Sequence, residues 1–508
     1  MNKKRSSEMP ALMAINVGSS SIKTAIFYNC SRVDVNINFI GLATQTMKAK
    51  YSPDLEIGHE SYTLNTGDDL LKAATAVLNK VKTIIAKLKW PTPDKIGHRV
   101  KFAGFGLPAQ QATEFQEHIL EFNDYLSSRH NKLCLTVIHE AKRCFPEAIQ
   151  IIVRDQAVND LSLHVQERIP FEKSHIKRYG LYASGYHGLA IKACLREINK
   201  TCNTQNFSGI ICHIGSGVSV SAFIEGKAVF NTMQFAACDG PIMHNRSGTQ
   251  PAGLVLRMLK YGLNSNLLPN ILNRRSGIYG LADISPNNNI TVESILNDNQ
   301  FYIEKDTYLL SIATEIFKAV SFAPAASNFV FSGGLATKHK WLAPELLYRA
   351  KVIGIEAKHN LNHIIKYGQS QQKQIDDLNI TLIDIDEQDA IISEITHLEN
   401  KTASINFSDG ICEVPGTSVG LIKEGLDGWG EGKISLNLDN TAFNFDEKNL
   451  PEAYIFSGSD RGEFFVRSMF ARSMKVPSIF INDENLEPQT ILNKKIYLDT
   501  PTRTAIEL

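Results

Sequence analysis

The chain has 508 residues, with 53 Lys and Arg against 53 Asp and Glu and a hydrophobic fraction of 43%. That length supplies two to four domains with ample cores, and the balanced charge favours neither nucleic acid nor an acidic membrane as partner. No stretch approaches the length of a membrane span, and the opening MNKKRSSEMP lacks the apolar run of a secretory signal. The eight Cys form no CxxC pair, and several lie in apolar runs, as buried thiols of a reducing compartment do. The composition points to a soluble, cytoplasmic α/β protein.

In chain order, an apolar run from Ala11 to Ile15 leads through Asn16 into Gly18-Ser19-Ser20-Ser21, then Lys23 and a second β-type run to Phe27. Two strands joined by such a turn present N–H groups, hydroxyls and one cation on one side, which suits an anion. Gly18 lets the backbone approach a ligand, and Ser19, Ser21 and Lys23 face phosphate oxygens. The Asn16 amide oxygen suits a Mg²⁺ ion or its water shell. The same residues also make an ordinary serine-rich hairpin, and no GxxxxGK[ST] loop is present. Ile37 to Ala43 reads as a third strand, and Asp68 to Leu88 has helical apolar spacing that Pro91 and Pro93 end. An extended segment carries Gly97-His98-Arg99-Val100. A helix over Thr136 to Cys144 follows, then a strand over Ile151 to Val153 ending at Arg154-Asp155.

The second half repeats the theme. Gly209 to Ile214 is a buried-strand run ending in Gly215-Ser216-Gly217, and Val218 to Phe230 is a hairpin turning at Glu225-Gly226-Lys227. Thr307 to Val320 reads as a helix, and Asn328 to Phe331 as a strand ending in Gly333-Gly334. A polar loop over Gln369 to Asp377 leads into a strand over Ile380 to Ile385 and a helix over Asp389 to Leu398. Glycine turns at strand ends in two α/β halves fit a phosphate-binding cleft between lobes.

The opening stretch resembles the signature of acetate kinases, in the acetate and sugar kinase/Hsp70/actin superfamily, and further matches occur in family order over roughly the first four hundred residues. The resemblance implies two ribonuclease-H-like (actin/Hsp70-type) domains around a central cleft. The first spans residues 1–155 and is completed by a helix at 386–400; the second, with the nucleotide site, spans 156–385. Residues 403–508 lie beyond the usual end of the family. They read as a small α/β extension with strands at Ala453 to Phe456 and Pro477 to Ile481 around a helix over Glu463 to Met474. The run from Asp460 to Ile481 faintly resembles a swivelling phosphohistidine domain, but no His follows His397, so that chemistry is excluded.

The implied activity is reversible phosphoryl transfer from ATP, with Mg²⁺, to a small carboxylic acid, giving an acyl phosphate and ADP in a homodimer. Such a reaction needs aligned phosphates and cations at the equatorial oxygens rather than a general base, because a carboxylate is already ionised near neutral pH. Arg99 in GHRV is similar to the family's HRV arginine, and Arg246 in HNRSGT to its second arginine; the resemblance assigns both to transition-state clamping. Asp155 matches the aspartate that orients an arginine. His213-Ile214-Gly215-Ser216-Gly217 resembles the HLGNG phosphate segment, with a shorter-reaching Ser216 in place of Asn. Phe331-Ser332-Gly333-Gly334 resembles the adenosine-side FTGG turn. Leu335 to Lys338 then departs from the usual Ile-Gly-Glu-Asn, which makes base recognition less secure than phosphate recognition. In Asp386-Glu387, Glu387 is the implied magnesium carboxylate.

His130-Asn131 resembles the family's HNP segment, with Lys132 for proline. Arg178-Tyr179-Gly180 opens an RYGFHG stretch in which Tyr182 replaces the histidine that steadies the transferring phosphoryl. His187 lies nearby, where burial at a helix start is the favoured reading. By alignment, the four walls of the acceptor's methyl pocket, usually Val, Leu, Phe and Pro, are Lys101, Arg129, Leu181 and Ala237. Unpaired charges beside a methyl group are costly, so acetate fits poorly and a larger anionic acceptor is expected. The alternative to an enzyme is a catalytically impaired nucleotide-binding regulatory protein on the same scaffold.

Overall fold

The computed structural model describes residues 10–396 except 19–20, 39–44, 65–68, 103–108, 113–116, 118–119, 122–123, 125–129, 157–169, 173–174, 176–184, 203–205, 285–289, 340, 355–370 and 376–377, and from 397 onward only strands. The first sheet contains β1 (Leu12–Val17), β2 (Ser21–Tyr28), β3 (Ser31–Asn38), β4 (Gln45–Tyr51), β5 (His59–Leu64), β6 (Lys95–Val100), β7 (Ala109–Gln111) and β8 (Ile149–Arg154). Its order is β5-β4-β3-β2-β1-β6-β8-β7. The second contains β9 (Gly209–Ile214), β10 (Val218–Ile224), β11 (Lys227–Asn231), β12 (Asn328–Ser332), β13 (Gln371–Ile375) and β14 (Leu378–Ile383), in the order β11-β10-β9-β12-β14-β13.

The two sheets share one plan. In each, an antiparallel meander comes first in the chain (five strands in the first sheet, three in the second), two parallel strands extend it beyond the first strand, and an antiparallel edge strand closes that side. The parallel strands β1, β6 and β8, and likewise β9, β12 and β14, end on the same side of their sheet, where crevices for ligands form.

Helix α1 (Leu70–Leu88), N-capped by Asp69, and α2 (His130–Cys144) cover one face of the first sheet; Val77, Leu78, Val81, Ile138 and Ala141 enter that core. Helix α3 (Gly188–Cys202) follows β8 but packs Ile191, Cys194 and Ile198 on the second sheet, against Ile211, Phe223 and Val330. The short helices α4 (Ala252–Lys260), α5 (Leu268–Arg274), α6 (Gly277–Leu281) and α7 (Val292–Asn297) precede α8 (Tyr302–Phe322), the central core helix of the second lobe. Then come α9 (Gly334–Lys338), α10 (Leu342–Arg349) and α11 (Glu387–Thr396). Helix α11 follows β14 but packs Ile391 and Ile395 on the first sheet, against Leu12, Ala14, Ile151 and Val153. The two lobes therefore exchange helices. The exchanged pair is joined where Arg196 Nη1 donates to Ser393 Oγ at 2.6 Å and pairs with Glu394 at 3.3 Å.

Sequence and structure differ in instructive places. The polar tract expected to loop from Gln369 is in part β13, whose backbone pairs with β14 at the edge of the sheet. Helix α2 starts at His130 rather than Thr136, and the strand expected to reach Ile385 ends at Ile383, which frees Asp384 to Asp386. Strands β4 and β5 and helices α4 to α7 carried no long periodic signal. Beyond residue 397 lie β15 (Thr402–Phe407) and β16 (Gly410–Pro415), paired antiparallel. A further sheet runs in order through β17 (Leu436–Leu438), β18 (Ala453–Ser457), β19 (Ser478–Ile481), β20 (Ile496–Thr500) and β21 (Arg503–Glu507). Strands β18 and β19 are parallel, as the expected strand–helix–strand unit requires; its helix at 463–474 lies outside the described residues.

Candidate active site

The cleft between the lobes encloses a cavity of about 620 Å³. Both meander turns open onto it. In the first, Gly18 N–H donates to Ser21 O at 2.7 Å, and in the second Gly215 N–H donates to Gly217 O at 2.9 Å. Gly333 ends β12 with φ +90°, and a Cβ there would lie 2.6 Å from Ile214 O, so only glycine lets the ends of β9 and β12 approach this closely. Asn16, Ser21, Lys23, His213, Gly215, Ser216, Gly217, Gly333 and Gly334 all line the cavity.

On the first-lobe side, Arg99 is a hub. Its Nη2 pairs with Asp155 Oδ2 at 2.7 Å, and its Nη1 lies 3.1 Å from Asn16 Oδ1 and 3.2 Å from Glu387 Oε2. Asn16 Nδ2 also donates to Glu387 Oε2. Gly97, two residues before Arg99 on the same strand face, makes this possible. A Cβ there would sit 2.6 Å from Ile391 Cγ2 and 2.9 Å from Ile395 Cγ2, so its absence admits α11 and brings Glu387 to the guanidinium. Burial opposes the charge of Arg99, but Asp155 and Glu387 outweigh it and raise its pKa. Burial likewise pushes the Glu387 carboxyl up, yet Arg99, His213, the Asn16 hydrogen bond and Lys23 bring it below its ordinary value.

On the second-lobe side, Arg246 Nη1 donates to the Ala237 carbonyl at 3.2 Å and meets Met243 Sδ at 3.5 Å. Gly277, with φ +73°, would place a Cβ 2.4 Å from Met243 O and 2.8 Å from Arg246 N, so its bare backbone braces the loop that aims the guanidinium. Arg246 has no carboxylate partner among the described residues. Burial lowers its pKa, and the neighbouring Arg99 adds to the effect. Lys101 also lines the cavity without a hydrogen bond or ion pair among the described residues; burial, Arg246 and Arg99 push its pKa well below the ordinary ammonium value.

Four imidazoles complete the walls: His130, His187, His213 and His244. Burial lowers the pKa of each, and neighbouring cations add to the shift at every one of them, so the rings are neutral near neutral pH. His187 stands at φ +60°, rare for a residue with a side chain. Its Nδ1 is 3.0 Å from Ser219 Oγ, and its ring lies 4.7 Å from that of His213. A Cβ at Gly217 would meet both His187 Nε2 and Arg246 Nη1.

The structure thus brings Arg99 and Arg246 to one cavity from separate lobes, with Asp155 behind Arg99 and Ala237 behind Arg246. Ser19, Arg129, Leu181 and Tyr182 lie outside the described residues. The sequence reading did not single out His244, Glu293 or Asp384, which also line the cavity, and it named Lys338, another wall, only as the end of a departure from the adenosine-side pattern. It favoured plain burial for His187, which is both buried and a cavity wall. A histidine directly before a helix-starting glycine was the available signal.

No group of three or more His, Cys, Asp or Glu with metal-holding geometry occurs among the described residues. The donors present are the oxygens of Asn16, Glu387 and Asp384. They suit a hard cation held by few carboxylates together with substrate phosphates, which is how Mg²⁺ commonly binds.

Paired meander sheets with a crevice lined by glycine turns, and exchanged helices, define a protein of two ribonuclease-H-like, actin/Hsp70-type lobes. The fold matches crystal structures of an acetate kinase from Porphyromonas gingivalis (TM-score 0.62, 19% identity, 77% of this chain and 100% of that one) and a propionate kinase from Francisella tularensis (TM-score 0.64, 19% identity, 76% and 99%). The acetokinase family model matches residues 11–393, and the chain belongs to that family. Curated relatives include the acetate kinases of Dichelobacter nodosus (25% identical over 379 residues, 71% of this chain and 91% of the relative) and Bacteroides thetaiotaomicron (25% over 413 residues, 77% and 100%).

Proposed function

We propose that the protein is an ATP-dependent carboxylate kinase. The observation that carries this reading is the convergence of Arg99 and Arg246, from separate lobes, on one cavity that also holds both glycine turns and Lys23. Family membership supports the same reaction class. In this reading Lys23, Ser19, Ser21 and the Gly215-Ser216-Gly217 turn hold the nucleotide phosphates, and the Gly333-Gly334 turn borders the nucleoside. An oxygen of the acceptor carboxylate attacks the γ-phosphorus. A new P–O bond forms as the bond from that phosphorus to the β–γ bridging oxygen breaks, and ADP leaves with the electron pair. Arg99, oriented by Asp155, and Arg246 hold the equatorial oxygens, where charge-assisted bonds matter most. The neutral imidazoles of His187 and His213 add hydrogen bonds without adding charge. Asn16 and Glu387 would hold Mg²⁺, which neutralises phosphate charge when bound.

Leu256, Tyr261, Ile303 and Phe317 are 64%, 79%, 72% and 58% exposed on the second lobe, an apolar surface suited to a homodimer. No described helix is long and apolar enough to cross a membrane, and dependence on ATP together with buried free thiols suits the cytoplasm.

The test is Mg²⁺- and ATP-dependent acyl phosphate formation across a panel of acids, trapped as hydroxamate. Turnover is expected, and kcat/KM should fall about a thousandfold in both Arg99→Ala and Arg246→Ala. ATP binding with no turnover for any acid would replace this reading with that of a nucleotide-binding regulator.

A further inference from the structure

Among the described residues, the charges at the inner end of the cavity do not balance. Three cations, Arg99, Lys101 and Arg246, meet there, and the carboxylates that face them, Asp155 and Glu387, are both bonded to Arg99. A single acceptor carboxylate beside the moving phosphoryl group answers Arg246 and the free edge of Arg99, which leaves Lys101 unmatched. Lys101 follows directly on the end of β6, between Val100, whose carbonyl accepts from the Asp155 N–H, and the buried Phe102, whose carbonyl accepts from Asn131 Nδ2 at 2.7 Å. It does not belong to the nucleotide end. Its strongest charged neighbours are Arg246, Arg99 and Asp155, whereas Lys23 is among those of Glu387. Lys101 neighbours His130 instead, a residue only 6% exposed whose buried Nδ1 has no hydrogen-bond partner among the described residues. An unpartnered buried imidazole nitrogen and an unpaired ammonium on one wall are the two halves of an anion seat.

Resting on the carboxylate-kinase reading, we propose that the acceptor is an acid with a second anionic group, seated by Lys101 and His130 while Arg99 and Arg246 hold the carboxylate that is phosphorylated. Arg99 and Lys101 are alternate residues of one chain segment, roughly 7 Å apart, so a short carbon spacer separates the two groups. Dicarboxylates and phosphorylated monocarboxylates share this chemistry.

The experiment measures kcat/KM of the full chain with Mg²⁺ and ATP for acetate, propionate, malonate, succinate and phosphoglycolate. It is repeated in Lys101→Met and Lys101→Arg. The dianionic acids are expected to be preferred. Lys101→Met should lower their kcat/KM about a hundredfold, mainly through the acid's KM, as loss of one partner of a buried charge pair does. It should leave the monocarboxylates level or improved and the KM for ATP unchanged, and Lys101→Arg should restore the preference. The better of the dicarboxylates and phosphoglycolate identifies the second group. Preference for acetate or propionate in the wild type, or a Lys101→Met effect on the KM for ATP instead, would overturn the inference and leave the kinase reading standing. Absence of turnover with every acid overturns both.

Discussion

The two lobes are built on one strand plan, yet they present their arginines in opposite electrostatic settings. In the first, Arg99 is fixed by Asp155, Asn16 and Glu387. In the second, Arg246 touches a backbone carbonyl and a thioether and meets no carboxylate among the described residues. A guanidinium held by protein carboxylates is positioned at all times but has spent part of its charge. One left without a counter-ion is costly to bury and correspondingly ready for an anionic ligand. The pairing supplies geometry on one side of the cleft and binding strength on the other.

Substitution separates these roles. Both Arg99→Ala and Arg246→Ala should lower kcat/KM by about 10³-fold, but their stabilities should diverge. Arg99→Ala strands the buried Asp155 and should cost about 3–5 kcal/mol, whereas Arg246→Ala removes an uncompensated cation and should leave the melting temperature level or raised. Equal destabilisation of the two in denaturant titrations would break the comparison. Gly97→Val comes next. Its side chain would collide with Ile391 and Ile395, an overpacking cost of roughly 1–3 kcal/mol, and by displacing α11 it should withdraw Glu387 from Arg99 and lower activity at saturating acid.

The corresponding crossing in the second lobe is gentler. Gly333→Ala is strained by its φ of +90° and by Ile214 O, and should raise the KM for ATP roughly tenfold. At Gly334 a Cβ meets nothing within 4 Å, so Gly334→Ala should be neutral or slightly stabilising. Kinetic equivalence of these two neighbours would argue against the close crossing. The smallest effect is in pH. Lys101 has a folded pKa below its ordinary value near 10.5, so the folded chain binds fewer protons than the unfolded one between those two values. Unliganded stability should therefore climb as pH rises toward 10.5, and Lys101→Met, more stable at neutral pH, should lose its advantage over the same window.

Much of this was legible in the residues. Both meanders follow from apolar runs interrupted by small turns, and Gly209–Ile214 was read to the residue because its run is apolar but for His213 and bounded by glycine. Helix α1 declared itself by spacing. Edge strand β13 did not, since its stability lies in backbone pairing that a string of Gln and Lys does not advertise. The arginines were found through family order rather than local pattern. What no linear reading conveys is which cations lack a partner: the isolation of Arg246 and Lys101 from carboxylates among the described residues depends on where each of those groups goes in space. His187 was likewise undervalued, because its left-handed backbone is a property of the packed site.

The helix exchange bears on how the chain is made. Residues 12 to 154 form the first sheet, but one face of it is covered by Ile391 and Ile395 of α11. During synthesis that face stays bare until residue 396 has left the ribosome, while the second lobe, served by α3, already has its exchanged helix. Helix α11, the last of the described helices to be made, thus seals the first-made sheet and in the same movement carries Glu387 to Arg99. A truncated or nicked product lacking that segment would have neither a closed core nor a complete phosphate site, so quality control and activity depend on one late event.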